Sequence, residues 1–443
     1  MLSPDDAKQI AEVAAGTPVG ELLRRYWMPV AAVSELERQP VMPVRVFGED
    51  LVVYKDLAGQ YGLLDRRCPH RRFDLAFGTP ESCGLRCSYH GWRFDHTGQC
   101  IEQPFEDVQA SSTAFRDATA TTSYPVQSCG GLIWGYFGPQ PAPLLPDWAG
   151  FHIPGYTVVS FMHVPCNWVQ IMEGLHDPVH VEWLHDRWSY RLHGHEVPES
   201  RPRHTAFRWI DFEYGVVYQR QFEGSDQWHA DRTVIFPNID GAGGQGTSLT
   251  WLVPMDELNT MVVYRVAITN WKTPFGQVVI SPKAGFEQTE IPCHRTKAAY
   301  DAVEGAGKDT GSHLVSQDAL AWMSLGPLVD RTRERLSATD AGIIMFRKKL
   351  LEQARLVAGG GDPMGTIRDP ARNRRITLPG ARKNYGLQAE GLPGMVGDDD
   401  ISLRAFLPFD LPEDIKASID EAMSKLVADR RPGWWGKRRP PGA

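Results

Sequence analysis

The sequence predicts an α+β fold in which an all-β module precedes a larger region of mixed strands and helices. Short alternating stretches bounded by turn residues fill residues 43–145, which is typical of an all-β module. Strand-like stretches return at residues 204–270, whereas residues 166–190 and 285–357 have mainly helical patterns. No internal repeat accompanies these changes, so we expect distinct domains rather than a repeat array.

Length and composition indicate a folded protein of several domains. The 443 residues predict roughly two to four domains, and 42% apolar with 10% aromatic residues exclude a wholly disordered chain. With 47 basic and 54 acidic residues the net charge is −7, which argues against a nucleic-acid binder. Seven cysteines are an odd and sparse set, which argues against a disulfide scaffold and favours the reducing cytoplasm.

Residues 1–42 predict helices. Ser3, followed by proline, suits the cap of a first helix that we expect to end near Gly16, and a second helix is expected from Val19 to Tyr26. The N-terminus has no pattern of a signal peptide, and no apolar run reaches the roughly 18 residues of a membrane span. We therefore expect a cytoplasmic protein without a membrane partner.

The strands expected in the two β-rich regions are short and apolar. In the first region they are Val44–Phe47, Leu51–Tyr54, Tyr61–Leu64 and Leu132–Phe137. A proline-rich segment, Pro139–Pro146, then predicts a linker. In the second region the strands are Val216–Gln221, Thr233–Phe236, Ser248–Val253 and Met261–Thr269. Beyond them, Ile343–Leu356 has a strongly periodic helical pattern.

The C-terminal tail is basic, unlike the rest of the chain. Residues 430–443 carry five Lys or Arg, so by subtraction from −7 the first 429 residues carry −12. We expect this tail to be disordered, with docking to an acidic partner or surface as the alternative.

Two Cys-His pairs lie on turn-rich parts of the β-module. One residue separates Cys68 from His70, two separate Cys87 from His90, and sixteen lie between the pairs. A zinc finger usually pairs cysteine with cysteine and histidine with histidine. Each of these loops instead offers one thiolate and one imidazole. This grouping suits a 2Fe-2S cluster with two cysteines on one iron and two histidines on the other. A zinc site, or four buried residues without a metal, is the alternative.

The segments around both pairs, CPHRRFDLAFG and GLRCSYHGWRFDHTGQC, resemble the Rieske domain of ring-hydroxylating oxygenases. The resemblance implies a Rieske 2Fe-2S cluster bound by Cys68, His70, Cys87 and His90. There is one departure from the family pattern. Where the family often has glycine and alanine after the first His-Arg, this chain has Arg72 and Phe73.

The segment from Asn167 to His185 is dense in residues that bind metal ions. Two Glu-x-x-His pairs, beginning at Glu173 and Glu182, have the spacing of di-iron sites. Such sites place the two pairs on different helices, whereas here both lie on one segment and cannot face each other. His176 and His180 are four residues apart and share one face of a helix, so spacing alone leaves them open as a metal pair.

Asp177, His180 and His185 resemble the mononuclear iron motif of the same oxygenases. On an ideal helix two imidazoles five residues apart diverge by about 140°. Both reach one metal only if the helix is broken or widened between them, which the nearby Pro178 favours. The resemblance implies that His180 and His185 belong to a 2-His-1-carboxylate site for Fe(II) with positions open for O2. In the family, the residue matching Asp177 bridges an iron-ligand histidine and a Rieske histidine of the neighbouring subunit.

Sequence spacing does not locate the third iron ligand. The segment SQDALAWMSLGPLVDRTRERLSATDAGIIMFRKKLL resembles the C-terminal helical region of phthalate-dioxygenase-type subunits. Matching residue by residue places the ligand at Asp318. The competing carboxylates are Asp330, Glu334 and Asp340. Their ordinary role would be on a solvated helix face or at a helix cap.

The resemblance runs from residue 16 to about residue 357, and it points to the phthalate dioxygenase and dehydrodivanillate O-demethylase branch of Rieske oxygenases. It implies a Rieske domain inserted near the start of a catalytic domain of the helix-grip type, with an antiparallel sheet flanked by helices. The implied domains are N-terminal helices of the catalytic domain at 1–42, the Rieske domain at 43–145, the catalytic domain at 146–429 and the tail at 430–443.

The same resemblance implies the terminal oxygenase of a multicomponent system. A separate reductase, alone or with a ferredoxin, takes electrons from NADH or NADPH and reduces the cluster, and Asp177 links the cluster to the iron. O2 is activated there, and an aromatic acid or aryl ether is hydroxylated or O-dealkylated. The sequence has no Rossmann glycine fingerprint followed by a suitable acidic residue, so the chain itself should not bind the nicotinamide. The family's usual assembly is a trimer, so we expect a homotrimer.

Two other classes of function must be weighed. A Rieske electron-transfer protein without oxygenase activity would leave the segment from Asp177 to His185 unexplained. A zinc-stabilised binding protein would use the same Cys-His pairs for structure alone.

The substrate is constrained only weakly. Arg208, Arg220 and Arg232 lie on strands that should wall the pocket, and an arginine can bind a substrate carboxylate with two parallel hydrogen bonds. Val179 is apolar where phthalate-type enzymes can place a polar contact, which argues against ortho-phthalate itself.

Overall fold

The structure is a computed structural model, and it describes residues 2–109, 112–152, 155–188, 203–242, 248–268, 288–297 and 314–379. The predicted basic tail at 430–443 lies outside the described residues. The α-helices are α1 (Pro4–Ala11), α2 (Pro18–Leu23), α3 (Val33–Arg38), α4 (Pro104–Gln109), α5 (Ala114–Asp117), α6 (Trp168–Leu175), α7 (Leu314–Ser324) and α8 (Ala341–Ala358). A π-helix spans Val181–Trp188.

The strands fall into two groups along the chain. The first group is β1 (Trp27–Ala32), β2 (Val41–Val46), β3 (Glu49–Lys55), β4 (Tyr61–Asp65), β5 (Thr79–Pro80), β6 (Leu85–Arg86), β7 (Arg93–Phe94), β8 (Cys100–Glu102), β9 (Ser123–Tyr124), β10 (Val126–Cys129) and β11 (Leu132–Tyr136). The second group is β12 (Gly155–Val164), β13 (His204–Phe212), β14 (Gly215–Phe222), β15 (His229–Ile235), β16 (Ile239–Ala242), β17 (Ser248–Asp256), β18 (Asn259–Ile268) and β19 (Gln288–Lys297).

These strands form one large sheet and three small ones. The large sheet has eight strands in the order β13-β14-β15-β16-β17-β18-β12-β19, and each neighbouring pair is antiparallel except β12 with β19. The small sheets have the orders β1-β11-β10, β2-β3-β4-β9 and β5-β6-β7-β8. The predicted α+β class, with antiparallel sheets and helices, is confirmed.

The large sheet packs against other elements on both of its faces. On one face Trp251 of β17 packs edge-to-face on Trp134 of β11, with ring centroids 5.1 Å apart. On the other face Val216 and Val234 lie against helices α6 and α8. Full burial of each large apolar side chain contributes about 1.5–3 kcal/mol, so this layered packing is what fixes the helices over the sheet.

The N-terminal region differs from its prediction in the end of α1 and in one strand. As expected, Ser3 caps α1 by accepting the Asp6 N–H at 3.1 Å, but α1 ends at Ala11 and not near Gly16. The segment Trp27–Ala32 is a strand, where only helices were expected before residue 43. All six of its residues are buried and it pairs with β11, so tertiary packing and not local propensity selects the strand.

The region predicted as mainly helical at 285–357 also contains a strand. Helix α8 includes the periodic segment Ile343–Leu356 as predicted, whereas Gln288–Lys297 is strand β19. Pro292 lies in the middle of this segment and disfavours a helix interior, while its threonine and isoleucine residues favour an extended chain.

A buried ion network ties α6 to α8. Glu173 of α6 accepts hydrogen bonds from Arg331 at 2.9 and 3.0 Å and from Arg347 of α8 at 2.7 Å. Arg347 also donates to Glu334 at 2.6 and 2.9 Å. Because buried charges are tolerated only when paired, this network fixes the position of α6 against α8.

None of the helices in the described ranges combines the length and the apolar character that a membrane span requires.

Candidate functional site

The two Cys-His loops have the same backbone hydrogen-bond pattern. In the first loop the Cys68 carbonyl accepts the Arg72 N–H at 2.8 Å, and the Cys68 N–H donates to the carbonyl of the next residue, Phe73, at 2.9 Å. In the second loop Cys87 makes the equivalent bonds with Gly91 and Trp92, at 3.0 and 2.8 Å. Each turn needs a left-handed residue, which is Gly91 with φ +77° in one loop and Arg72 with φ +60° in the other.

The two loops bring the two cysteine thiols together and the two histidine imidazoles together. Both thiols are buried and form a hydrogen bond with each other, and this bond lowers the pKa of Cys87 while it raises the pKa of Cys68. The imidazoles of His70 and His90 meet edge-to-face, with ring centroids 4.5 Å apart. Two thiols on one side and two imidazoles on the other fit a 2Fe-2S cluster with one kind of ligand on each iron.

The surroundings of the sulfurs and of the imidazoles also suit a cluster. Backbone N–H groups of Tyr89 and His90 donate to the Cys87 sulfur, which favours its thiolate form. Trp92 stacks on His70 with ring centroids 4.4 Å apart and an interplanar angle of 8°, so it fixes the imidazole plane. His90 is exposed, whereas both cysteines are buried. The side formed by the imidazoles of His70 and His90, the imidazole edge, is therefore more exposed than the side formed by the cysteines.

A second cluster of donors lies between the π-helix and α7. Asp318 Oδ1 is 3.0 Å from His185 Nε2 and 3.6 Å from His180 Nε2. All three donor atoms lie within 4.8 Å of one another, and no other group of three His, Cys, Asp or Glu donors in the described part of the chain is as compact. Two imidazoles and one carboxylate, with space left for other ligands, are a donor set that suits Fe(II).

An irregular helix makes this cluster possible. Helix α6 ends at Leu175, the helical conformation resumes at His180, and a π-helix follows from Val181. Because a π-helix bonds residue i to residue i+5, residues five apart lie on one face. The predicted break or widening between His180 and His185 is confirmed, and it removes the divergence that an ideal α-helix would impose.

Hydrogen bonds and charges orient His185 and keep Asp318 ionised. The Nδ1–H of His185 donates to Gln317 Oε1 at 2.8 Å, which leaves Nε2 as the atom that faces Asp318. Burial alone would raise the pKa of Asp318, but the charges of His185 and His180 and the hydrogen bond from His185 outweigh it and lower the pKa. Asp318 therefore stays ionised, as a metal ligand must.

The alternative ligands in the helical segment are engaged elsewhere. Buried His176 donates from Nδ1 to the Met172 carbonyl at 2.8 Å and stacks on Phe346. Glu173 belongs to the buried ion network, and Glu182 binds Arg187 and His204. The pair His176 and His180, which spacing left open, is therefore not brought together around one metal position.

The competing carboxylates after α7 also have other partners. Asp330 caps a short 3-10 helix through the Thr332 N–H at 3.1 Å, and Asp340 accepts the Ser337 N–H at 2.7 Å. Glu334 pairs with Arg347. Of the four carboxylates that the sequence offered, Asp318 alone joins His180 and His185 among the described residues.

Asp177 lies at the break between α6 and the π-helix. One of its oxygens accepts the Val179 N–H at 2.7 Å, and the other is 3.8 Å from His180 Nδ1. The side chain is 26% exposed, so it reaches His180 while presenting an edge outward. This position suits a residue that contacts an iron-ligand imidazole and a group outside the chain.

The structure separates the three arginines that could face a substrate. Arg208 lies over the Trp228 ring and donates to Gln219 at the surface, and Arg220 lies beside His204. The charge of Arg232 contributes to lowering the pKa of Asp318. Gln317 and Trp92, which orient the imidazoles of His185 and His70, were not identified from the sequence, because neither residue type is itself a ligand.

Two family models match separate parts of the chain. One is described as the Rieske 2Fe-2S domain and matches residues 26–121. The other is described as LigXa C-terminal domain like and matches residues 300–377. The first match includes the two Cys-His loops, and the second includes Asp318.

Curated relatives match over nearly the whole chain. The chain is 39% identical over 429 residues to the 5,5'-dehydrodivanillate O-demethylase oxygenase subunit of a Sphingobium species, covering 96% of this chain and 97% of that protein. It is 30% identical over 403 residues to the phthalate 4,5-dioxygenase oxygenase subunit of Pseudomonas putida, covering 83% and 89%.

Solved structures share the fold at low identity. NdmA of Pseudomonas putida CBB5 matches with a TM-score of 0.51 at 18% identity, covering 81% of this chain and 100% of that one. Dicamba monooxygenase bound to dicamba matches with a TM-score of 0.51 at 18% identity, covering 76% and 99%. The oxygenase of a carbazole 1,9a-dioxygenase complex with ferredoxin matches with a TM-score of 0.51 at 16% identity, covering 82% and 97%.

Proposed function

The chain belongs to the Rieske non-heme iron oxygenases, as an oxygenase subunit, and on that premise we propose that it hydroxylates or O-dealkylates an aromatic acid or aryl ether. The observation that carries this proposal is the approach of His180, His185 and Asp318 to one another. When bound there, an iron ion would supply open coordination positions for O2 chemistry. O-dealkylation is the reaction to test first, because the relative that is 39% identical is an O-demethylase subunit.

We propose a role for each site residue. Cys68 and Cys87 would bind one iron of the Rieske cluster, and His70 and His90 the other. His180, His185 and Asp318 would bind the mononuclear iron. Asp177 would accept hydrogen bonds from His180 and from a Rieske histidine of a neighbouring subunit, and so hold both imidazoles in fixed orientations. Its contact with His180 at 3.8 Å and its partly exposed carboxylate support this role.

We propose the domain division and assembly on the same basis. The N-terminal helices at 1–42 would belong to the catalytic domain of 146–429, with the Rieske domain at 43–145 between them and the basic tail at 430–443. Helix α2 packs on α8 from the distant end of the described chain, which supports the first point. A homotrimer would let the exposed imidazole edge of one subunit meet Asp177 of the next.

Electrons would come from a separate protein. We propose a reductase, alone or with a ferredoxin, that takes them from NADH or NADPH, so that the nicotinamide acts on this chain only indirectly. The names of the relatives as oxygenase subunits, and the fold shared with an oxygenase solved with ferredoxin, support a separate donor. A reducing cytoplasm would keep the thiols of Cys68 and Cys87 available for the cluster.

The proposed function is tested on the purified protein with a matched reductase and a panel of aromatic acids and aryl ethers. We expect about three irons and two sulfides per chain, O2 consumption with at least one substrate, and products identified by mass spectrometry. Two irons per two sulfides without O2 consumption would indicate an electron-transfer protein instead. A colourless protein with zinc would indicate a zinc-stabilised binding protein.

The proposed role of Asp177 has its own test. Asp177→Asn keeps the shape but removes the charge, so we expect unchanged iron and sulfide content with turnover lowered by about 10- to 100-fold. Reduction of the cluster by the reductase should stay fast, while its reoxidation with O2 and substrate slows. Reoxidation at the wild-type rate would contradict the bridging role.

A further inference from the structure

One row of polar residues crosses the large sheet on the face that carries the helices. Cross-strand pairing aligns Val234 with Asp240, Asp240 with Thr250, and Thr250 with Tyr264. Directly paired residues point to the same face of a sheet. Since Val234 lies against α6 and α8, the side chains of Asp240, Thr250 and Tyr264 face the same layer.

This row is coupled electrostatically to Asp318 of the proposed iron site. Arg232 is two residues before Val234 on β15, so it shares the same face. Asp318 of α7 acts electrostatically on Asp240 and on Tyr264, and Arg232 acts on Asp318. We call this polar row the floor, because it differs from the rest of the buried face, which is largely apolar.

Asp240 has an unsatisfied acceptor in this floor. Only 6% of the residue is exposed, and its Oδ1 atom has no hydrogen-bond partner. The nearest cation that pairs with it is Arg232, whose Nε is 3.6 Å from Oδ1, beyond hydrogen-bond distance. A buried carboxylate oxygen without a donor costs free energy, so it marks a place where a donor from outside the chain binds favourably.

We propose that Asp240 is a specificity-determining residue that accepts a hydrogen bond from a phenolic hydroxyl of the aromatic substrate. A hydroxyl on the ring is a strong donor and is uncharged, so it satisfies Oδ1 without adding charge. A substrate carboxylate at the same position would be repelled by Asp240. Burial raises the pKa of Asp240, and the charge of Arg232 opposes that rise, so Arg232 is the positioning residue. This inference rests on the proposed function and narrows its substrate class to hydroxylated rings.

The test compares matched pairs of ligands that differ by one methyl group. The probes are 4-hydroxy-3-methoxybenzoate against 3,4-dimethoxybenzoate, and the corresponding pair of hydroxylated and fully methylated biphenyls. Binding to the iron-loaded enzyme is measured anaerobically by calorimetry, so no turnover is needed. We expect at least one phenolic probe to bind about tenfold or more tightly than its methyl ether.

Variants then attribute this preference to Asp240. Asp240→Asn should reduce the phenol-to-ether ratio severalfold or more, whereas Asp226→Asn, the same change at an exposed aspartate, should leave the ratio unchanged. The thermal midpoint and the iron content of each variant show that it is folded and loaded.

The outcomes separate this inference from the proposed function. Three results would overturn the proposed hydrogen bond from a phenolic hydroxyl to Asp240. They are equal binding of both members of each pair, binding of neither member, and an unchanged phenol-to-ether ratio in Asp240→Asn. If the wild-type enzyme still consumed O2 with a ring that lacks a hydroxyl, the oxygenase function would stand without it. Failure of O2 consumption with every aromatic compound would overturn the proposed function itself.

Discussion

Arg72 has a backbone conformation that usually belongs to glycine. Its φ of +60° occupies the position that Gly91 fills in the second Cys-His loop, and the hydrogen bonds of both turns are the same. The left-handed conformation costs a residue with a Cβ about 1–2 kcal/mol. The departure from the family motif at Arg72 therefore changes the energy of the first loop and not its shape.

Replacing Arg72 by glycine should stabilise the Rieske module. We expect Arg72→Gly to raise the free energy of unfolding by about 1 kcal/mol, and the midpoint for thermal bleaching of the cluster by about 2 °C. Arg72→Ala is the matched control, because it loses the same surface contacts but keeps the strained φ. A midpoint for Arg72→Gly at or below that of Arg72→Ala would contradict this account.

Gln317 fixes the orientation of His185 through a buried hydrogen bond of 2.8 Å. Gln317→Leu removes the acceptor, so we expect the affinity for iron to fall by about 10- to 100-fold while the Rieske absorption spectrum is unchanged. The measurement is iron retained after dialysis against a chelator. Gln317→Glu keeps an acceptor and should retain iron nearly as the wild type does. Equal retention by Gln317→Leu would show that the hydrogen bond does not position His185.

The side chains that we propose as ligands stand out in the sequence, whereas the side chains that support them do not. Cys68, His70, Cys87 and His90 are close in sequence and of residue types with few other uses. Gln317 reaches His185 across 132 positions, and a glutamine has many ordinary roles on a helix. Asp240 has one weak signal in the sequence, since aspartate is depleted in strands, but only the structure shows its unsatisfied oxygen.

At the scale of elements, the irregular helix at the proposed iron site was predictable from geometry. Five residues at 100° each do not bring two imidazoles together on an α-helix, so the chain had to break or widen. The observed π-helix at Val181–Trp188 widens the helix between His180 and His185. By contrast, the strands Trp27–Ala32 and Gln288–Lys297 were missed because their partners, β11 and β12, lie 100 residues or more away.

The ion network at Glu173 should control the stability of the helical layer. Glu173→Gln would leave the buried guanidinium groups of Arg331 and Arg347 without their shared carboxylate, so we expect a loss of about 3–5 kcal/mol in the free energy of unfolding. Thermal and denaturant unfolding measure this loss. Glu352→Gln, which removes an exposed ion pair with Lys348, should change it by less than about 1 kcal/mol. Similar unfolding of both variants would contradict a structural role for the network.

At the scale of the whole molecule, long-range contacts join segments that the sequence presents as separate. The Tyr26 hydroxyl donates to the Met364 carbonyl at 2.7 Å, and the Phe47 N–H donates to the Pro254 carbonyl at 2.9 Å. Composition and periodicity report only local preferences. They indicate where the secondary-structure pattern of the sequence changes, but not which segments pack together. The fold class could be predicted from that pattern of strands and helices, whereas the arrangement of the layers could be seen only in the structure.

The proposed trimer makes a quantitative prediction about mixed assemblies. If the cluster of one subunit serves the iron of the next, a variant without a cluster and a variant without iron should complement each other. His70→Ala would provide the first and Asp318→Ala the second. In a trimer that contains both variants, one of the three cluster-to-iron pairs between neighbouring subunits has both sites intact, so activity should reach about a third of the wild-type value.

Each variant alone should be inactive, which makes the recovery easy to detect. The two chains are co-expressed with different tags, mixed assemblies are purified through both tags, and O2 consumption is measured with the reductase and substrate. Separately purified variants that are mixed without subunit exchange are the control, since they contain no mixed interface. If electrons passed only within one chain, the mixed assemblies would be as inactive as their parents, because no single chain would have both metal sites intact.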